Sequence, residues 1–167
     1  IPPVNVLVLA ALADATGNAV TARRIAAHLA GVHRVTLVDA VTASAARLRE
    51  IVQAERIDAA IGVHALLAGP FLRALGLPYA LVFGGTDLYE QTHELHQAQM
   101  ARAVAGAARL IAFSPENTAR AEWLWPATRG RVECLPQAVT LRICLARPPR
   151  EEEVRRLLER LKQSELT

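Results

Sequence analysis

The protein is a chain of 167 residues, of which 52% are hydrophobic and 21% are charged, with a formal net charge of +3. This length fits one domain with a full hydrophobic core, and this composition excludes intrinsic disorder. The two cysteines are too few for a disulfide scaffold or for a four-ligand zinc site.

Short apolar runs alternate with segments of helical spacing along residues 1–139. The first run, Val4–Leu9, lacks polar alternation, which is typical of a strand buried on both faces of a sheet. The predicted strands cover residues 4–9, 35–38, 57–63, 79–83, 110–113 and 132–135. Because helices separate these strands, the pattern predicts an α/β fold: a Rossmann-like, doubly wound parallel sheet of about six strands.

Capping and breaking residues mark the ends of the predicted helices. Gly31 ends the first helix, and Thr42 or Ser44 caps the second. A later helix is predicted from about Thr92. Ser114-Pro115-Glu116 is a strong helix start, because it combines a capping hydroxyl, a proline in the first turn and an acid beside the positive helix end.

The composition changes after the last predicted strand. We predict a Rossmann-like domain over residues 1–139, and a linker with a C-terminal amphipathic helix over residues 140–167. Arg147-Pro148-Pro149-Arg150 interrupts the chain before this helix. One helix face is apolar, and it is formed by Val154, Leu157, Leu158 and Leu161. Such a face needs a surface to cover.

Ligands of parallel sheets bind beyond the carboxyl ends of the strands. The loop after the first strand has a single glycine, Gly17, and lacks the GxGxxG pattern, which disfavours a nucleotide-dependent oxidoreductase. Gly17 and Asn18 open a helix, and a helix N-terminus favours a phosphate or a carboxylate. The alternative is an ordinary tight turn with Asn18 as the helix cap.

The segment Gly84-Gly85-Thr86-Asp87 follows the fourth strand. Its glycines let a ligand approach the backbone, and Thr86 and Asp87 offer a hydroxyl and a carboxylate at the mouth of the sheet. The alternative is a turn in which Asp87 bonds its own backbone. His64 ends the third strand and either meets these loops or is a structural histidine. Glu116 lies at the same edge, where it either binds ligand or pairs with the helix dipole.

No metal site is predicted. His93 and His96 are three residues apart, whereas the zinc motif HExxH places its histidines four apart, so a solvated helix face is favoured. The positive charges form no dense run, which disfavours a nucleic-acid partner and leaves a membrane surface without support.

Three segments together carry a resemblance: residues 16–24 (Thr-Gly-Asn-Ala-Val-Thr-Ala-Arg-Arg), 82–87 (Val-Phe-Gly-Gly-Thr-Asp) and 136–138 (Pro-Gln-Ala). They resemble the N-terminal half of glycosyltransferase 1 domain-containing proteins, in the retaining GT-B group of family 4 type. The resemblance covers about residues 4–139. It implies two facing Rossmann domains, of which the first binds the sugar acceptor and the second binds the nucleotide-sugar donor. It also implies a reaction that needs no cofactor and no essential metal.

The resemblance places Gly17 and Asn18 beside the cleft and matches Gly85, Thr86 and Asp87 to a His-Gly-x-Asp segment of many relatives. This chain has Gly84 at the histidine position, and His64 is the candidate substitute. The expected catalytic residues are therefore Asp87 and His64. The expected substrate-binding residues are Gly17, Asn18, Gly84, Gly85, Thr86 and Glu116.

We therefore expect the acceptor-binding half of a retaining glycosyltransferase, with a sugar acceptor and a nucleotide-sugar donor as its partners. Residues 140–167 are too few for a donor domain, so we expect this chain alone to be inactive or weakly active. The alternative is a non-catalytic Rossmann-like module for binding or self-association, which would form a homo-oligomer. The few cysteines and the absence of a visible signal favour the cytoplasm.

Overall fold

The computed structural model describes residues 2–13, 16–90, 93–137 and residue 152. The chain divides into two units, residues 1–137 and residues 138–167. The helix predicted near residues 150–164 lies outside the described residues, apart from Glu152, which is helical. None of the helices in the described part of the chain combines the length and hydrophobicity that crossing a membrane requires.

Strands and helices alternate through the first unit, as the apolar pattern predicted. The strands are β1 (Asn5–Ala10), β2 (Arg34–Asp39), β3 (Ala59–Val63), β4 (Tyr79–Val82), β5 (Arg109–Ala112) and β6 (Val132–Cys134). The helices are α1 (Gly17–Leu29), α2 (Ala45–Ala54), α3 (Gly69–Leu75), α4 (Thr86–Tyr89), α5 (Glu94–Gly106) and α6 (Pro115–Leu124). The loop predicted after β4 contains the short helix α4, which is too brief for a periodic signal in the sequence.

The six strands form one parallel sheet in the order β2-β1-β3-β4-β5-β6. The predicted α/β, Rossmann-like fold is therefore confirmed. The chain first steps from β1 outward to β2 and then returns past β1 to β3. This change of direction opens a crevice at the carboxyl ends of β1 and β3, where open α/β sheets bind their ligands.

Apolar side chains fill both faces of the sheet. Leu7 and Leu9 of β1 belong to a core cluster with side chains from α2, α3, α5 and α6. Val6 and Val8 belong to a second cluster with Ala22 of α1. Because alternate residues of a strand point to opposite faces, this one strand anchors both layers of helices.

Small residues let α3 pack closely against its neighbours. A Cβ added at Gly62 of β3 would lie 2.4 Å from Leu72 Cδ1 and 2.8 Å from the Cβ of Ala68. A Cβ added at Gly69 would lie 2.5 Å from the Cβ of Ala103 in α5. This close packing holds α3 against β3, and therefore fixes the loop between them that carries His64.

Candidate functional site

The loop between β1 and α1 opens the crevice on one side. Thr16 caps α1, because its side chain accepts a hydrogen bond from the N–H of Ala19 at 3.3 Å. The predicted alternative with Asn18 as the cap is therefore wrong, and the Asn18 side chain is left to reach across the crevice. A Cβ added at Gly84 would lie only 2.5 Å from Asn18 Oδ1. The glycine thus allows the loops after β1 and β4 to touch.

The loop after β4 is organised around the buried carboxylate of Asp87, which is 3% exposed. Its Oδ2 accepts a hydrogen bond from the N–H of Ala65 at 2.7 Å. Its Oδ1 accepts from the N–H of Gly84 at 3.0 Å and from the N–H of Gly85 at 2.9 Å. Gly85 has a φ of 105°, a conformation that glycine adopts without steric cost. Asp87 therefore ties the loop after β3 to the loop after β4.

His64 begins the loop after β3, contacts Thr86 of the segment after β4, and is 7% exposed. Its φ is 82°, which places a residue with a side chain in the left-handed region and costs about 1–2 kcal/mol. Its Nδ1 accepts hydrogen bonds from the N–H groups of Leu66 and Leu67, both at 3.3 Å. Backbone strain of this kind is concentrated at functional sites, where the surrounding contacts hold it in place.

The ring of His64 is also joined to Thr86. The distance between His64 Nε2 and Thr86 Oγ1 is 2.9 Å. Because Nδ1 accepts from two backbone N–H groups, Nε2 is the ring nitrogen that donates to the threonine oxygen. The Thr86 hydroxyl proton then remains free to point into the crevice, where it can donate to the oxygen of a ligand.

Glu116 stands apart from this cluster. It is exposed in the first turn of α6, after β5, and the pKa of its carboxyl is lowered by hydrogen bonds from its own backbone N–H and from the Ser114 hydroxyl. In the described part of the chain, no hydrogen bond or ion pair joins it to His64, Thr86 or Asp87. The other predicted site residues follow β1, β3 and β4 and lie at the crevice, whereas Glu116 follows β5.

Two further residues, Asp39 and Gln137, make contacts at this edge that were not predicted from the sequence. Gln137 Nε2 donates to Thr21 Oγ1 at 3.0 Å and so fastens the segment after β6 to α1. Asp39 accepts hydrogen bonds from the N–H of Leu12 at 3.2 Å and from the N–H of Val41 at 3.0 Å, which fixes the loop after β1. Gln137 belongs to the Pro-Gln-Ala segment of the resemblance, and both Gln137 and Asp39 lie at the carboxyl ends of predicted strands, where ligands of parallel sheets bind.

Among the described residues, no group of three or more His, Cys, Asp or Glu side chains is placed to hold a metal ion. His93 caps α5 through its ring nitrogen and meets the ring of His96 edge to face. The polar groups at the crevice are therefore hydroxyl, imidazole, amide and backbone N–H groups. These groups recognise the oxygens of sugars and phosphates by hydrogen bonding.

The chain matches no model of a known protein family. It is 31% identical over 137 residues to glycosyltransferase 1 domain-containing protein 1 of Xenopus tropicalis. This similarity indicates a glycosyltransferase-like relationship between the two proteins. The match covers 81% of this chain and 40% of the relative, so the chain spans well under half of that protein. With the Rossmann-like sheet, this similarity supports a glycosyltransferase-like domain.

Proposed function

We propose that the chain is the N-terminal, acceptor-binding half of a retaining GT-B glycosyltransferase of family 4 type, with a nucleotide sugar as donor. The observation that carries this proposal is the crevice at which Asn18, His64 and Thr86 meet, in a chain similar to a glycosyltransferase 1 domain-containing protein. The crevice lies where the strand order reverses, which is the ligand position of open α/β sheets.

The chemistry of the crevice suits a sugar acceptor. The Thr86 hydroxyl accepts from His64 and donates to a sugar hydroxyl, and the Asn18 amide lies beside Gly84. The Asp87 carboxylate holds the loops after β3 and β4 together. Gly84 and Gly85 leave room for a sugar ring against the main chain. The arrangement orients the attacking hydroxyl, and orientation of this kind contributes a large part of a transfer rate.

The donor requires groups that stabilise a phosphate leaving group. The N-terminus of α1 at Gly17 supplies backbone N–H groups and a positive dipole end for a phosphate. Electrostatic stabilisation by helix ends and arginines takes the place of a metal in this reaction. The catalytic roles of Asp87 and His64, and the substrate contact of Glu116, stay predictions, as does a cytoplasmic location.

A GT-B reaction takes place between two domains, and the described sheet forms one Rossmann-like unit. Residues 1–167 therefore bind the acceptor and transfer little sugar by themselves. The supporting fact is that the 137 matched residues cover 40% of the glycosyltransferase 1 domain-containing relative.

The test is ligand-observed NMR on residues 1–167 with a panel of monosaccharides and oligosaccharides, and with UDP-, GDP- and ADP-sugars. Thr86→Val and Asn18→Ala remove the crevice hydroxyl and amide. Thr36→Val is the matched control, since Thr36 lies on the outer strand β2 and its hydroxyl donates to Glu55, which follows α2. We expect saccharide binding that is about tenfold weaker in Thr86→Val and unchanged in Thr36→Val, because one lost hydrogen bond costs about 1 kcal/mol or more.

Saccharide binding that both crevice variants leave intact would overturn the proposal. A folded chain that binds no saccharide would overturn it as well. Dimer formation by such a chain in analytical ultracentrifugation would instead favour the self-association module. Efficient sugar transfer by residues 1–167 alone would contradict the proposed division between two domains.

A further inference from the structure

A second concave site lies next to the crevice, and Asp87, which ties the crevice loops, is part of its lining. It is a pocket of about 400 Å³ lined by side chains of α4, α5 and α6 and the residues that follow α4 and α6. Thr86, the first residue of α4, meets His64 at the crevice, whereas Leu88 and Tyr89 of the same helix line the pocket. The helix therefore separates the two sites.

The pocket has apolar and aromatic walls. Met100 of α5 and Leu88 of α4 contribute aliphatic surface. Trp125 lines it as well and stacks on the buried ring of Phe83, with ring centroids 5.5 Å apart. At the rim, Trp123 is 67% exposed and Tyr89 is 53% exposed. Large aromatic surfaces left open to solvent beside a concavity are typical of a binding site.

Arg120 of α6 supplies a fixed positive charge in this pocket. Its Nε donates to the carbonyl oxygen of Leu88 at 2.9 Å. Its Cζ lies 4.4 Å from the ring centroid of Trp123 and 5.7 Å from that of Tyr89. A guanidinium held by a backbone carbonyl and two rings is oriented in advance, and its remaining N–H groups can bind a carboxylate or phosphate in a bidentate manner.

In the described part of the chain, no carboxylate forms an ion pair with Arg120. Two acids line the pocket, Asp87 and Glu90. The carboxylate oxygens of Asp87 accept hydrogen bonds from backbone N–H groups, and Glu90 is exposed. The pocket thus joins a positive charge to aromatic walls.

We propose that this pocket binds a small organic anion, in which a carboxylate or phosphate ester is joined to an aromatic or other apolar body. The anion pairs with Arg120, and the body packs between Trp123 and Met100. Binding here does not depend on sugar transfer at the crevice, so either proposal can fail without the other.

Fluorescence reports this pocket directly, because Trp123 and Trp125 are the two tryptophans of the chain and both line it. The probe is phenyl phosphate, titrated into the full chain, with inorganic phosphate and phenol as the two halves of the ligand. We expect saturable quenching by phenyl phosphate and at least about tenfold weaker binding of either half, since each half loses one of the two interactions.

Three variants assign the binding to the pocket. Arg120→Gln removes the charge, and we expect about tenfold weaker binding of phenyl phosphate. Gln97→Phe, at an exposed position of the lining, obstructs the pocket while Arg120 stays in place, and we expect a similar loss. Arg102→Gln is the matched control, because Arg102 is exposed on α5 and does not line the pocket.

Absence of saturable quenching in the wild-type chain would overturn the inference. So would affinity that both Arg120→Gln and Gln97→Phe leave unchanged, or a loss in Arg102→Gln equal to that in Arg120→Gln. Thermal unfolding of each variant checks that it is folded. If Arg120→Gln fails to fold, the response of Gln97→Phe decides: retained affinity overturns the inference and lost affinity supports it.

Discussion

Replacing Asp87 with alanine removes the acceptor that three backbone N–H groups share. Ala65 is fully buried, so its N–H cannot reach water in the variant, whereas Gly84 is exposed and Gly85 is half-buried. An unsatisfied buried donor costs about 1–3 kcal/mol, and hydrogen bonds to a charged acceptor each contribute about 1.5–3 kcal/mol. Because the two glycine N–H groups regain water, we expect the free energy of unfolding to fall by about 2–4 kcal/mol.

Asp87→Asn is the finer perturbation. An asparagine keeps one acceptor oxygen and turns an NH₂ group toward a backbone donor, so at least one of the Asp87 hydrogen bonds is lost in either amide orientation. We expect a loss of about 1–3 kcal/mol, less than in Asp87→Ala. The matched control is Asp58→Asn, because Asp58 is exposed and accepts from a single backbone N–H, that of Asn5. Its effect should stay within about 0.5 kcal/mol.

The assay is urea unfolding followed by tryptophan fluorescence, with amide hydrogen exchange at Ala65 as the local measurement. For a domain of this size, 3 kcal/mol corresponds to a fall in Tm of roughly 6–12 °C. Loss of exchange protection at Ala65 in Asp87→Ala would show that the carboxylate holds this N–H. An unchanged unfolding midpoint together with unchanged protection would refute the reasoning.

Three other substitutions test separate contacts. Gly84→Ala places a methyl group against the Asn18 side chain and forces it to move, which costs little stability. We expect this variant to bind saccharides more weakly in NMR titrations, and unchanged binding would contradict the proposed crevice. Gly69→Ala presses a methyl group on Ala103, and overpacking of this kind should lower the free energy of unfolding in urea by about 1–3 kcal/mol. An unchanged free energy would show that α3 and α5 are not tightly packed at this position. The pKa of Tyr79 is raised above 10.0 by burial, so its neutral phenol stabilises the fold below pH 10, and that contribution is lost as the pH rises through the raised value. Tyr79→Phe should lower stability by about 1 kcal/mol at neutral pH, because the hydroxyl donates to the carbonyl of Ala103. Tyr79→Phe should also flatten the decline of the free energy of unfolding above pH 10. An equally steep decline in the variant would contradict the attribution of this decline to Tyr79.

The sequence predicted strands and helices well where the apolar pattern extends over many residues. Continuous runs such as Val4–Leu9 identify buried strands, and their separation by helices implies parallel pairing. Ser44 and Ser114 cap α2 and α6, as their positions suggested. The alternative in which Asn18 caps α1 was wrong, because the side chain of Thr16, two residues earlier, accepts a hydrogen bond from the first turn of the helix.

The sequence predicted which loops form the candidate site, but not the contacts between their side chains. The rule that ligands bind at the carboxyl ends of strands placed His64 and the segment of residues 84–87 at one edge. It could not show that the ring of His64 meets Thr86, because this contact joins residues 22 apart in the chain. Nor did it indicate a left-handed φ at His64, a residue that carries a side chain. The alternative in which Asp87 bonds its own backbone describes two of its three donors, whereas the third, Ala65, comes from another loop.

By itself, the sequence determined the α/β class, the parallel sheet and the strand ends at which a ligand would be held. These follow from local periodicity and from turn residues, which act within a few positions of the chain. Tertiary structure alone decided the order β2-β1-β3-β4-β5-β6, the joining of Asn18 to Gly84, and the pocket around Arg120. Each of these depends on side chains that come together only when helices pack on the sheet, and no local pattern in the sequence encodes which distant surfaces will meet.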